Sequence, residues 1–231
     1  MRKLIGIAVI LGFSLMVPAS GGAQGALTLD QIYANLDKVN KSFKTVEANI
    51  ERTMVTIIVP DDKEIKSGKF YYARVGKEPR VLVETTKPSL ETILIDKGLL
   101  QIYNPGLKQV QQASVAQHKD MVEQIMATGF GQSSAEMKNA YEVTLAGEEV
   151  IDGQKTTVLD LKPRKPSSVI KSMRLWLESS GQQRWIAVQN KFTQPSGDYD
   201  IFKFTNIKLN GGIPDSRFKL DLPKGVTIIK L

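Results

Sequence analysis

The side chains equipped for chemistry are few in this chain and lie far apart. His118 is the only histidine among 231 residues, which leaves at most one imidazole base and no histidine-rich metal cluster. It precedes Lys119 and Asp120 where a helix is predicted to start, a place for an exposed residue near the cap. Glu148 and Glu149 are adjacent carboxylates of the kind acid–base catalysis uses. They come just before the turn signal Ile151-Asp152-Gly153, however, so a solvated hairpin rim is the expected role. Cysteine is absent, which removes thiol nucleophiles, thiolate zinc sites and disulfides. No Gly-x-Ser-x-Gly elbow, Walker loop or Rossmann fingerprint occurs. The sequence therefore predicts no catalytic residue, no metal and no cofactor: a protein that binds rather than an enzyme.

Two basic features remain. Lys162-Pro163-Arg164-Lys165-Pro166 is a proline-stiffened run that reads as a loop, with a membrane surface or an acidic partner as its alternative use. Arg74 shares strand parity with Phe70 and Tyr72. Either the strand ends first and Arg74 is exposed at the turn near Gly76, or it points into an apolar face. In the second case the guanidinium needs partners, such as the terminal carbonyls of a helix, because an unpaired buried charge is costly.

The elements that would position these residues can be read from periodicity. Thr28 with Gln31 forms a capping-box pattern, and Ile32, Leu36, Val39 and Phe43 recur at helical spacing. Val46, Ala48 and Ile50 then alternate with polar residues, and Val55 to Val59 forms a β-branched run ending at Pro60-Asp61-Asp62. Further strands are predicted at 65–74, 80–86, 91–95 and 99–103. A helix over 118–128 follows, with Met121, Val122, Ile125 and Met126 on one stripe that Phe130 continues. Ser133 and Glu136 cap another short helix. Strands resume at 141–146, 156–161, 171–178, 184–192, 199–209 and 226–230. The fold class is α+β, mainly antiparallel β, without repeats or linkers.

Several strands carry bulky apolar residues on one parity: Phe70 and Tyr72; Val81 and Val83; Met173, Leu175 and Leu177; Ile186, Val188 and Phe192. The opposite parity reads as largely polar, as Ser172, Arg174 and Glu178 illustrate. A sheet with one apolar face must cover it, and the predicted helices are few and short. The face is then either an ordinary packed core or a curved, incompletely filled interior, and such interiors hold ligands.

The N-terminus reads as an address. Arg2 and Lys3 precede an apolar run from Leu4 to Val17, and Gly21 and Ala23 fit a small-x-small cleavage rule. The run is shorter than the roughly 20 residues that cross a bilayer. We expect a secretory leader over 1–23 and a single domain over 24–231, and the missing cysteine argues against a lipid anchor at the cleavage site. Without Arg2 and Lys3 the formal net charge of +7 falls by two to +5. That excess is spread along the chain, compatible with passing contact at anionic membranes but too diffuse for nucleic acid.

Read in order, a set of short segments resembles the LolA family of periplasmic outer-membrane lipoprotein carriers. They are Lys41-Ser42-Phe43, Gly68-Lys69-Phe70-Tyr71-Tyr72-Ala73-Arg74, Lys87-Pro88, Ile93-Leu94-Ile95-Asp96, Tyr103-Asn104-Pro105, and Arg217-Phe218-Lys219-Leu220-Asp221-Leu222-Pro223-Lys224-Gly225-Val226. The resemblance implies an incomplete, half-open β-barrel whose apolar concave face lies beneath a lid of short helices. It implies that Arg74 gates that lid, and with such a cavity the one-parity strand residues Phe70, Tyr72, Val81, Val83, Met173, Leu175 and Leu177 and the helical-stripe residues Met121, Ile125 and Met126 become its candidate lining. It also implies a monomer in the periplasm, acylated lipoprotein cargo, an inner-membrane ABC-type release complex and an outer-membrane receptor. The family usually has proline directly after the arginine, whereas here Val75-Gly76-Lys77-Glu78-Pro79 follows. The same fold serves related lipid-binding and envelope-stress sensing domains, so a glycolipid or isoprenoid carrier and a sensor subunit are the alternatives.

Overall fold

The computed structural model describes residues 27–76, 78–117, 130, 132–181 and 184–231. The expected leader, His118 and the candidate lining residues Met121, Ile125 and Met126 lie outside these residues.

The first helix, α1 (Leu29–Ser42), starts where the capping box predicts: the Thr28 hydroxyl accepts from the Gln31 amide, and the Gln31 side chain accepts from the Thr28 amide. A meander follows, comprising β1 (Thr45–Val55), β2 (Lys63–Val75), β3 (Glu78–Lys87), β4 (Glu91–Asp96), β5 (Leu99–Asn104) and β6 (Gln109–Ser114). The short helix α2 (Ser134–Ala140), boxed by Ser133 and Glu136, leads into β7 (Tyr141–Ile151), β8 (Gln154–Pro163), β9 (Ser172–Glu178), β10 (Ala187–Thr193) and β11 (Tyr199–Leu209). A 3-10 turn at Asp215–Phe218 and the edge strand β12 (Thr227–Lys230) complete the chain.

These strands form one sheet in the order β12-β6-β5-β4-β3-β2-β1-β11-β10-β9-β8-β7. Only β12 on β6 is parallel. The outermost strands β12 and β7 each have a single neighbour, so the sheet is an open half-barrel rather than a closed one. Gly68 makes part of its curvature possible. A Cβ there would lie 1.9 Å from the Glu84 carbonyl oxygen, at the point where the β2–β3 register shifts.

The inner face carries two apolar clusters. One joins Ile32, Tyr33 and Leu36 of α1 and Met137 of α2 to Leu159, Leu161, Met173, Leu175, Leu177 and Phe192. The other joins Phe43, Val46, Ile50, Phe70, Tyr72, Val81, Ile95, Leu100, Phe130 and Phe204. The sheet thus divides its inner face between a helix-covered half and an aromatic half.

The structure departs from the sequence reading in five places. Val55 ends β1, and the β-branched run beyond it forms a turn in which Ile58 is 83% exposed. The strand expected from residue 184 begins at Ala187, because Trp185 has φ of +69° and a register shift follows Ala187. That shift moves Val188 off the parity of Phe192 and onto the outer face, beside Val158 and Trp176. The outer face is also less polar than expected. Tyr71, Ala73, Leu82 and Leu94 are buried there against Phe218 of the C-terminal segment. Finally, β6 was not anticipated, since Gln109, Gln111 and Gln112 give it too little apolar alternation to read as a strand.

Candidate ligand-binding face

Most of the described candidate lining residues meet on the inner face. Phe70, Tyr72 and Val81 are buried in the aromatic half, with Val83 packed against it, and Met173, Leu175 and Leu177 lie under the helices. Phe130 fills the centre of the aromatic half. Its ring is 4.9 Å from Phe204, 5.4 Å from Phe70 and 6.3 Å from Phe43, centroid to centroid. Beyond Phe70 the face opens into a pocket of about 80 Å³, lined by Ile50, Phe70, Val83, Ile93 and Phe202 and edged by Arg52, Lys66 and Glu91. Ligand pockets usually span roughly 300–1,000 Å³. A ligand of ordinary size would therefore require side chains or helices of this face to move aside.

Arg74 stands at the seam between sheet and helix. It lies near the end of β2, paired with Pro79, so the strand continues to it. Its guanidinium donates to the Asn40 carbonyl at 3.1 Å and to the Asn40 side-chain oxygen, and it sits 5.7 Å over the Phe43 ring. Asn40 belongs to the last turn of α1, where carbonyls lack helical partners and the helix dipole favours a cation. Arg74 is half-buried, which places it at the rim of the face. Tyr72, directly inside it, has its phenol pKa raised by burial, an effect the neighbouring Arg74 opposes.

Three further residues tie the helices down, and the sequence assigned that role to none of them. Asn210 accepts from the Lys44 amide at 2.8 Å and donates to the Ser42 carbonyl at 2.9 Å, closing the end of α1 from the far side. Its φ of +56° suits asparagine, and the turn signal Asn210-Gly211-Gly212 was the legible clue. Asp37 of α1 accepts from the Ser134 amide at 2.8 Å and from its hydroxyl at 2.6 Å, joining α1 to the start of α2. Those hydrogen bonds hold the Asp37 carboxyl below its ordinary pKa. Arg164, from the basic run, donates from Nε to the Lys138 carbonyl at 2.8 Å and so caps the end of α2. Of the paired carboxylates, Glu149 accepts from the Trp176 indole at 2.7 Å on the outer face, a structural role.

Comparison with known proteins follows the same line. Residues 37–221 match the family described as "Outer membrane lipoprotein carrier protein LolA". An outer-membrane lipoprotein carrier protein of Pseudomonas putida (strain W619) is 22% identical over 231 residues, covering 99% of this chain and 98% of that one. A protein of the same description from Chromobacterium violaceum is 24% identical over 186 residues, covering 80% of this chain and 81% of its own. Among solved structures, an uncharacterized conserved protein from Thermus thermophilus superposes with a TM-score of 0.55 at 12% identity, covering 88% of this chain and 100% of that chain. That last likeness is one of fold alone.

Proposed function

The chain belongs to the LolA family of outer membrane lipoprotein carriers, and from that membership we propose that it shields lipoprotein acyl chains on its inner face and shuttles them from the inner to the outer membrane. The family is one of carriers, not enzymes. The proposal includes export to the periplasm with removal of residues 1–23, residues 24–231 acting as a single carrier domain, and action as a monomer. It also includes receipt of cargo from an ABC-type release complex and delivery to an outer-membrane receptor.

The observation that carries this reading is the apolar inner face lying beneath helices whose ends are held by polar bonds. Apolar burial suffices for binding: at ~0.8 kcal/mol per methylene, about 14 buried methylenes gain up to ~11 kcal/mol. That gross gain is reduced by the cost of ordering the chain and moving the cover. Release is the harder requirement. If Arg74 favours the closed state through the Asn40 carbonyl, every bound chain must work against that bond, which keeps affinity low enough for hand-off.

The test is to purify the protein from the periplasm of its host and examine it by native mass spectrometry, with transfer of a tri-acylated lipopeptide measured alongside. Co-purified lipoprotein or its acylated peptide is the expected result. Arg74→Leu should hold the lipopeptide several-fold longer and deliver less of it. A free lipid of another class would change the cargo, and an empty protein that ignores added lipopeptide would end the carrier reading.

A further inference from the structure

Asn190 lies in the middle of β10 with 0% exposure, and neither its amide nitrogen nor its amide oxygen meets a hydrogen-bond partner among the described residues. Register places it opposite Leu175 on β9 and Phe202 on β11, and two residues before Phe192, so its side chain belongs to the inner face. A carboxamide carries two donor hydrogens and an accepting oxygen. Burying them bare costs desolvation with nothing in return, and such groups are uncommon in folded proteins. A leucine would fill the same place among Leu175, Phe202 and Phe192 without that cost. Folding alone gives no reason for an amide here, whereas a ligand with a polar group would.

The row through Asn190 indicates what that ligand is. Across the sheet it reads Leu159, Leu175, Asn190, Phe202, Arg52, Lys66. The last three line the small pocket beyond Phe70, and Arg52 also donates to the buried Asp200 at 3.0 Å. Polarity thus rises from the sealed middle of the face toward the pocket mouth. With strands about 4.7–4.9 Å apart, Asn190 stands about 10 Å inside Arg52. An acyl chain has the same profile: apolar along its length, then a carbonyl, then a polar head.

We propose that Asn190 is the recognition site for the acyl carbonyl, resting on the carrier reading of this face. Its Nδ2 donates to the ester or amide carbonyl, the hydrocarbon lies over the apolar rows, and the head points toward Arg52 and Lys66. A secondary amide also returns its N–H to Oδ1, so an N-acyl linkage satisfies both ends of the side chain and an ester only one.

The test is a binding titration of the whole purified protein with a fluorescent tri-acylated lipopeptide and two analogues. One analogue has ether oxygens in place of both ester carbonyls, and the other lacks the N-acyl group but has one ester chain lengthened to keep the methylene count. The wild-type protein should lose about tenfold in affinity, equivalent to ~1.4 kcal/mol, for at least one analogue. Loss with the ether identifies the ester carbonyl, and loss with the second analogue identifies the amide. Asn190→Leu should bind the parent lipopeptide about tenfold more weakly and no longer distinguish the three. A wild-type protein that binds all three equally would overturn the proposal while leaving the carrier reading intact, and this arm needs no variant to fold. A wild-type protein that binds none would overturn the carrier reading itself.

Discussion

Phe218, behind the sheet, and Asn190, inside it, are both shut away from solvent, but their surroundings follow different rules. Phe218 is 1% exposed against Tyr71, Ala73, Leu82 and Leu94. Around it, Arg80 forms ion pairs of 2.7 Å with both Asp96 and Asp215 and lies 4.4 Å over the Phe218 ring. Arg217 donates to the Tyr71 hydroxyl at 2.6 Å and pairs with Glu84. Each of these charges has a partner, and each polar bond is added to an apolar contact. On the inner face the cover is tied mainly at its margins, by Arg74, Asn210 and Asp37, and the face holds an amide with no partner among the described residues. The outer seal is built to stay closed. The inner cover closes over apolar residues with fewer paired charges, which suits the exchange of its own packing for a ligand's that the proposed function requires.

That contrast predicts an order of effects. Phe218→Ala should cost the most, about 3–5 kcal/mol of unfolding free energy as for other buried phenylalanines. It should leave lipopeptide affinity per folded molecule unchanged, as measured by urea unfolding and titration on the same sample. Arg80→Leu comes next, at about 2–3 kcal/mol. It strands the mostly buried Asp96, although Asp215 is largely exposed and is screened by water. Arg74→Leu should cost only about 1 kcal/mol, the scale of a cation at a helix C-terminus. A loss for Arg74→Leu equal to that for Phe218→Ala would break the comparison, because the inner cover would then be as permanent as the outer one.

How far the sequence foretold this molecule depended on which interactions are local. The capping boxes at Thr28 and Ser133 are short-range, and both helices began where they signalled. The inner rows Phe70–Tyr72 and Met173–Leu175–Leu177 follow from strict alternation. Alternation failed at Val188, where a register shift after Ala187 reversed the parity and no residue type announced it. It also failed at the outer face, since the Phe218 segment returns to β2–β4 from far along the chain. Asn190 was visible in principle: it is the polar gap in the apolar row that ends at Phe192. Whether such a gap is buried and bare depends on neighbours that periodicity does not supply. The bond from Arg74 to Asn40 likewise joins residues 34 positions apart, and the resemblance to a family pointed to that arginine more directly than its spacing did.

The smallest effect should belong to the link between the two helices, and it carries a pH signature. Asp37 accepts two hydrogen bonds from Ser134, with Lys41 and Lys138 adding weaker support, and its pKa is lowered in the folded protein. Glu136 is lowered in the same way by the Ser133 amide and hydroxyl. A carboxyl with a depressed folded pKa binds its proton more readily in the unfolded chain. Its stabilisation is therefore fully present above the unfolded value, about 4, and disappears as pH falls through the folded value. Between pH 8 and pH 5 the protection of α2 amides in hydrogen exchange should be flat, and it should decline only in more acid solution. Asp37→Asn retains an oxygen to accept one bond but has no charge to lose. It should lower protection slightly at neutral pH and remove part of the acid dependence, and Glu136→Gln should remove a further part. Decline beginning near pH 6 in the wild-type protein would mean that these two carboxyls do not set the strength of the link.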